Sequence, residues 1–358
     1  MGLTGSLARV GRAGHFRSMV AATCLVVAAT VAAPVVAGAT LPSWHLNRSF
    51  TSPIQSMTGV DCTSTLHCVA TTANGRIATT FNGWASFSSV AAKGKKLAST
   101  MNAVSCASAS ACEAVGSWGT STTGYGVIMG SKNGGATWVT QHVSPVPHDL
   151  QAISCPSALV CVAVGVMGGH TEYFTRTTNG GLTWSDHTGT IAPSIGGLSS
   201  VSCVSTLTCS VIGIRGEAAS TTNGGATWNI GTAYSTTRWL YSISCVGKGF
   251  CAAAGQNTKG QGLNLRSSNS GLTWSLASTG PGVSLEYAVT CSDSSHCVGV
   301  GVNAAHGVVV RTNSGLAYST MVVPSGSSSL NAIVCRGATW CQAVGATSGS
   351  NAVVFTWH

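Results

Sequence analysis

The chain has 358 residues, enough to bury a large core, with 17 basic and eight acidic residues, a net charge of +9 and only 7% charged residues in all. So little charge beside abundant glycine, serine and threonine would suit disorder, but valine, isoleucine, leucine and tryptophan recur throughout, which disordered chains lack. The basic excess is also too dispersed for a nucleic-acid or lipid surface: only Lys93, Lys95 and Lys96 cluster, in a Gly/Ala/Ser context that reads as a solvated loop, and no nucleic-acid module is visible.

The first 39 residues predict an export signal. Arg9, Arg12 and Arg17 precede an apolar run from Met19 to about Ala39 that ends on Ala37-Gly38-Ala39, a small-residue cleavage site. Kept, the run would be an N-terminal anchor; Pro34 and the Ala-Gly-Ala end favour cleavage. Ala21-Ala22-Thr23 before Cys24 is a poor lipoprotein context. Nothing later approaches the ~20 apolar residues of a membrane span, so residues 40–358 are expected to form one domain with no stable span after cleavage. Three of the 17 basic residues leave with the signal, so 14 stand against eight acidic ones.

Fourteen of the 15 cysteines form seven pairs with one spacing: Cys62/Cys68, Cys106/Cys112, Cys155/Cys161, Cys203/Cys209, Cys245/Cys251, Cys291/Cys297 and Cys335/Cys341. First members lie 44, 49, 48, 42, 46 and 44 residues apart, the mark of a repeat array. Each copy opens with an apolar strand into its first cysteine, with Val60, Val104, Ile153, Val201, Ile243, Val289 or Ile333 two residues before it. A short turn follows, and a second strand leaves the second cysteine for a glycine four residues on: Gly116, Gly165, Gly213, Gly255, Gly301 and Gly345, with Thr72 in the first copy. A third strand runs into an Asn-Gly-Gly turn, and a fourth begins at the tryptophan beyond it. β-Branched runs bounded by Gly, Asn and Ser, with no helical period, predict strands and hairpins.

Four antiparallel strands repeated seven times predict an all-β chain, a seven-bladed β-propeller of four-stranded antiparallel blades. A solenoid is the alternative. The seventh copy, however, stops after three strands at "NAVVFTWH", and "PSWHLNRSF" near residue 44 resembles a fourth strand, so an N-terminal strand is expected to close the ring. Cysteines six apart across a tight hairpin predict one local disulfide per blade in an exported chain; zinc sites favour two to four intervening residues and further ligands. Each bridge would close a loop of about seven residues, worth ~2 kcal/mol in the chain-entropy account. No metal and no cofactor is expected: the histidines lack ligand spacing, no serine or threonine has a partner base in view, and no Gly-rich stretch stands between a strand and a helix.

"SKNGGATW" at 131 returns as "TTNGGLTW", "TTNGGATW" and "SSNSGLTW". The sets Asn133/Gly135/Trp138, Asn179/Gly181/Trp184, Asn223/Gly225/Trp228 and Asn269/Gly271/Trp274 resemble the Asp-box, or bacterial neuraminidase repeat, with Asn in the usual Asp position. Two copies degrade: "RTNSGLAY", and "TFNGWASF" with Trp84 at the second glycine. Asn and Gly suit a turn with positive φ, and Trp fills the space beyond. The resemblance covers nearly the whole mature chain and implies a propeller similar to photosystem II assembly factors, sialidases and sortilin-type receptors. It implies a structural role for the motif, away from the ligand face, and places function elsewhere.

Sialidases use clustered arginines with a Tyr/Glu pair and an acidic Asp, and glycoside cleavage in general needs two placed carboxyls. The sialidase arginine set does not align here, and the carboxylates are few: Asp61, Glu113, Asp149, Glu172, Asp186, Glu217, Glu286 and Asp293. Loops joining the second and third strands, and loops between blades, form the expected ligand face. They carry Asp149, Glu172, Glu217 and Glu286, with Trp118, Tyr125, His148, His170, Arg215, Arg238, Trp239, Tyr241 and Tyr287 there or at the inner-strand entrance. Aromatic and arginine side chains at a concave mouth would suit a glycan or a peptide tail. The expectation is a secreted or cell-surface, non-enzymatic binding or assembly module for a surface glycan or exported protein. The alternative is an extracellular glycoside hydrolase drawing its acids from Glu172, Glu217, Asp149 and Glu286.

Overall fold

The structure, a computed structural model, describes residues 43–358 except 52, 94–97, 120–123, 169–170, 192–194, 248, 280–281, 305, 314–316 and 323–325, and describes main chain alone over 143–148, 312–313 and 317–322. The expected export signal at 1–39 lies outside the described residues. Among the described residues, 27 strands make seven four-stranded antiparallel blades. The innermost strands are Met57–Cys62, Thr100–Cys106, the later half of Val139–Ser154, Leu198–Cys203, Thr237–Val246, Leu285–Cys291 and Ser329–Cys335. The 16-residue strand Val139–Ser154 is at once the outer strand of the second blade and the inner strand of the third, so those blades share one seven-stranded sheet, which the repeat pattern did not foreshadow. Among the described residues no helix is long and apolar enough to cross a membrane.

The ring closes as expected. Strand Trp44–Ser49 pairs antiparallel with Ala352–Trp357, Trp44 opposite Trp357, and becomes the outer strand of the seventh blade. Buried clusters sit between blades: Phe174 and Val164 of the third meet Leu198 and Val211 of the fourth, and Trp228 packs against them.

All seven cysteine pairs are bridged, one per blade. In chain order Cys62 joins Cys68, Cys106 joins Cys112, Cys155 joins Cys161, Cys203 joins Cys209, Cys245 joins Cys251, Cys291 joins Cys297 and Cys335 joins Cys341, with Cα atoms 4.0–4.1 Å apart. Wherever both cysteines lie within the paired strands they face each other at the end of the first hairpin, as Cys62 and Cys68 or Cys291 and Cys297 do. Because each bridge joins the first two strands of its own blade, replacing Cys245 and Cys251 together by serine is expected to cost only about 2 kcal/mol in urea unfolding, with the ring intact. A loss of twice that size would mean that the bridge also fixes a neighbouring blade.

An inner strand faces the channel with one unpaired edge, and its N–H groups need acceptors. In the first five blades the residue before the first cysteine supplies one. Oγ of Ser105, Ser154, Ser202 and Ser244 accepts the N–H of Cys155, Cys203, Cys245 and Cys291 in the next blade at 2.9–3.1 Å. In the first blade Asp61 stands there: Oδ2 takes the N–H of Cys106 at 2.7 Å and Oδ1 that of Cys62 at 2.8 Å, with Arg336 of the last blade 3.7 Å away. A second rung, two residues earlier, links Ser200 to Ile243 N–H at 3.2 Å and Ser242 to Val289 N–H at 3.1 Å. The Ser-Cys signature thus stitches neighbouring blades together.

The four Asn-Gly-Gly or Asn-Ser-Gly turns share one bonding scheme. In the second blade Ser131 Oγ accepts Gly135 N–H at 2.7 Å, and Asn133 Oδ1 accepts Thr137 N–H at 2.9 Å. The next three blades repeat it, with Thr177 and Asn179, Thr221 and Asn223, and Ser267 and Asn269 as the acceptors. The tryptophan that ends each turn is half-buried. Trp138 donates from Nε1 to Gly135 O at 3.0 Å and packs on the core shared with the first blade. Trp184 and Trp274 lie against the clusters around Ile153 and Ile243, and Trp274 stands 3.2 Å from where a Cβ at Gly271 would be. The first blade keeps the same bonds despite its altered sequence, from Trp84 N–H to Thr80 Oγ1 at 2.9 Å and from Ser86 N–H to Asn82 Oδ1 at 2.8 Å. The other altered copy, at 311–318, falls partly outside the described residues.

Candidate functional site

Each inner strand carries a β-bulge at the same place, two residues before the recurrent Val or Ile. The bulge drives a main-chain carbonyl onto the neighbouring strand, and this explains the glycine four residues after the second cysteine. A Cβ at Gly255 would lie 2.0 Å from Trp239 O, and one at Gly301 2.0 Å from Leu285 O. A bulge re-aims the extra side chain. The seven re-aimed residues are Thr58, Asn102, Gln151, Ser199, Tyr241, Tyr287 and Asn331, and all but Asn102 line a central channel of about 240 Å³ together with the recurrent Val and Ile.

Five of the seven are spent on the ring itself. Thr58 Oγ1 donates to Met101 O, Asn102 Nδ2 to Leu150 O at 2.7 Å, and Asn331 Nδ2 to Met57 O at 2.8 Å, each gripping the next blade. Ser199 Oγ donates to Ile212 O at 3.2 Å and Gln151 Nε2 to Asp149 Oδ2 at 2.9 Å. Tyr241 and Tyr287 differ: their rings meet edge-on, centroids 6.0 Å apart, and neither phenol bonds another group among the described residues. Burial, then the neighbouring Tyr287, push the Tyr241 phenol above its ordinary value, so it stays neutral. Three residues before Tyr241, the exposed Arg238 guanidinium lies 5.8 Å from the Trp239 ring. Arg215 is exposed on the second-to-third-strand turn of the fourth blade.

The expected carboxylates do not reach this face as free groups. Glu172 is 2% exposed and accepts Ile191 N–H at 3.1 Å. Glu286 is fully buried, its Oε1 accepting Asn264 Nδ2 at 2.6 Å, and burial lifts its pKa to about 7. Glu217 folds back on its own turn to take Arg215 N–H at 3.0 Å, and Asp149 receives Gln151 at 2.9 Å and Asn102 at 3.3 Å. The physical reason is that each acid serves a nearby donor, a main-chain N–H for Glu172 and Glu217 and side-chain amides for Glu286 and Asp149. Trp118 and Tyr125 stack at 4.8 Å on paired strands of the second blade. His148 pairs Met167 through its main chain, its side chain being outside the described residues, as is His170 altogether.

Sequence reasoning singles out both tyrosines without revealing that they are equivalent. The usable signal is a fixed offset, four residues before each first cysteine. It also passes over Glu113, 8% exposed, whose Oε1 accepts Gln141 Nε2 at 2.9 Å and whose pKa burial raises to about 8. Among the described residues no three His, Cys, Asp or Glu side chains gather to hold a metal ion.

No protein-family model matches the chain, and no curated protein matches it by sequence. Solved structures share its fold. YCF48 from Cyanidioschyzon merolae is 17% identical, with a TM-score of 0.60 over 88% of this chain and 98% of that one. YCF48 bound to D1 peptide is 12% identical, with a TM-score of 0.62 over 89% and 99%. Virginiamycin B lyase from Staphylococcus aureus is 10% identical, with a TM-score of 0.67 over 88% and 99%. At such identities the likeness is one of fold.

Proposed function

We propose that the protein is a non-catalytic, exported binding module that holds an acidic polypeptide segment across the mouth of its channel. The observation that carries this reading is the Tyr241/Tyr287 pair, since the other five bulge side chains are bonded within the ring while these two present unbonded phenols and ring faces. Tyrosine supplies large contact area with little entropy to lose and a hydroxyl for main-chain groups. Arg215 and Arg238 are exposed while the nearby acids are buried or bonded, so the face favours a negatively charged partner. YCF48 bound to D1 peptide supplies a propeller of this fold with a peptide on it. Seven local disulfides suit an oxidising compartment, in keeping with the export signal read at residues 1–39 and with turns of the Asp-box type.

The glycoside hydrolase reading needs two accessible carboxyls, and Glu172, Glu286, Glu217 and Asp149 offer none that is unbonded on the face. The test is fluorescence anisotropy of the oxidised mature protein with extended acidic peptides, against basic peptides and neutral or sialylated glycans. Acidic peptides are expected to bind, and Tyr241→Ala with Tyr287→Ala to weaken binding by about 30-fold, the scale of a paired aromatic hot spot. Equal peptide affinity in the double variant, or binding of glycans alone, would overturn the reading.

A further inference from the structure

We infer that the seam between the third and fourth blades holds a second ligand site, independent of the channel mouth, for an oxyanion group carried on a sugar-sized body. A cavity of about 350 Å³ opens there, lined by Arg176, Thr183, Ser185, His187 and the turn Asn223–Ala226. It lies at the Asn-Gly-Gly turns, at the opposite ends of the strands from the channel mouth.

The equivalent space is filled in other seams. Between the first and second blades Thr79 Oγ1 donates to Gly135 O at 3.0 Å. Between the second and third, Gln141 occupies the place that His187 holds one blade on; it lies so close to the turn that a Cβ at Gly181 would sit 1.6 Å from its Oε1, and it meets Trp184 Nε1 at 3.3 Å. Between the fourth and fifth, Gly231 packs on the Gly271 main chain and Ser210 Oγ donates to Ser270 O at 2.8 Å. In the third blade alone of these, the pair is an arginine and a histidine, and the space stays open.

The lining is cationic and rich in donors. Arg176 lays its guanidinium against the turn, 3.1 Å from where a Cβ at Gly224 would stand, and is fixed by one bond from Nη2 to Thr206 O at 3.2 Å. Among the described residues it makes no ion pair, and its Nε has no partner. His187 is held in place by stacking on Phe174, centroids 4.5 Å apart. Thr183 Oγ1 accepts Asn179 Nδ2 at 2.8 Å, which leaves the hydroxyl its own proton to donate. Asp186, the carboxylate on the same outer strand, alternates to the other side and is taken by Tyr173 O–H at 2.7 Å and His142 at 3.0 Å, so no acid competes for the guanidinium. A planar fork with an unmatched charge beside hydroxyls is the chemistry that recognises sulfate, phosphate or carboxylate, and the volume admits a monosaccharide bearing one.

The test is isothermal titration of the oxidised mature protein with glucose 6-sulfate, glucuronate, inorganic sulfate and glucose, at ionic strength held constant with chloride. Both acidic sugars are expected to bind more tightly than glucose. Arg176→Gln is expected to weaken them by about tenfold or more, the scale of a lost charge-assisted bond. Ala226→Trp, at an exposed lining residue, is expected to abolish binding by filling the cavity while unfolding in urea is unchanged. Inorganic sulfate as tight as glucose 6-sulfate would assign the site to a free ion and overturn the sugar body. Glucose as tight as glucuronate, or undiminished binding in Ala226→Trp, would overturn the site altogether.

Discussion

Replacing Trp84 by alanine is expected to destabilise the protein by about 4 kcal/mol, the usual cost of removing a large buried aromatic side chain. The residue stands where the other turns have their second glycine, with φ at 72°, a backbone state that costs a bulky residue about 1–2 kcal/mol. The fold accepts this because the ring closes here. Trp84 is 1% exposed, packs edge-on against Phe50 at 5.7 Å, and donates from Nε1 to Gln342 Oε1 of the last blade at 2.8 Å. Arg48, on the closing strand, donates to the carbonyls of Trp84 and Ala85 at 3.0 and 2.8 Å. One side chain thus joins the first blade, the last blade and the N-terminal strand. Trp84→Gly would relieve the backbone yet leave the same void, so it should recover only about 1 kcal/mol relative to alanine. Urea unfolding with the disulfides intact measures both. A glycine variant as stable as the parent would mean that strain at this turn outweighs the packing.

The same residue shows where sequence reading reaches its limit. Blade number, strand order, the closing strand and all seven bridges were legible because each rests on a period or a fixed spacing repeated along the chain. By sequence the Trp84 turn looks degraded because its second glycine is replaced, whereas the bonds that define the turn come from Thr80 and Asn82, which are present. Strand alternation does not reveal a bulge, so Tyr241 and Tyr287 stood out as aromatic residues near a mouth without the geometry that makes them partners. Loop position alone puts these acids on the ligand face, yet Glu172 and Glu286 turn inward to serve donors contributed from other segments. The third seam's cavity depends on what Arg176 and His187 fail to fill, which is a property of two blades packed together.

Stability is expected to be greatest near pH 4–5 and to fall by several kcal/mol towards pH 8.5, the reverse of the usual rise above acid pH. Glu113 and Glu286 are the main cause. Both are buried, each is met by a single amide donor, and in each Oε2 has no partner among the described residues. Burial raises Glu113 to about 8 and Glu286 to about 7 against the usual carboxylate range near 4. Between pH 4 and 7 the unfolded chain has released these protons while the folded chain keeps them, so the native state binds more protons and unfolding becomes easier as pH rises. Each unit of difference corresponds to about 1.4 kcal/mol, and the loss is complete once pH has passed the higher folded value. Asp61, raised by burial as well, adds to the fall. Asp186 and Asp293, both lowered, act in the opposite sense only below about pH 4, where their protonation removes stability. Glu113→Gln and Glu286→Gln remove the titrating groups and keep the shape, and the amide introduced by the second could donate to the buried, unpartnered Asn264 Oδ1. The double variant should therefore match the parent near pH 5, exceed it at pH 8.5, and show a much flatter profile between. Urea midpoints across that range decide the matter: a parent profile already flat from pH 5 to 8.5 would mean that water or local rearrangement lets both carboxylates ionise within the folded ring at no cost.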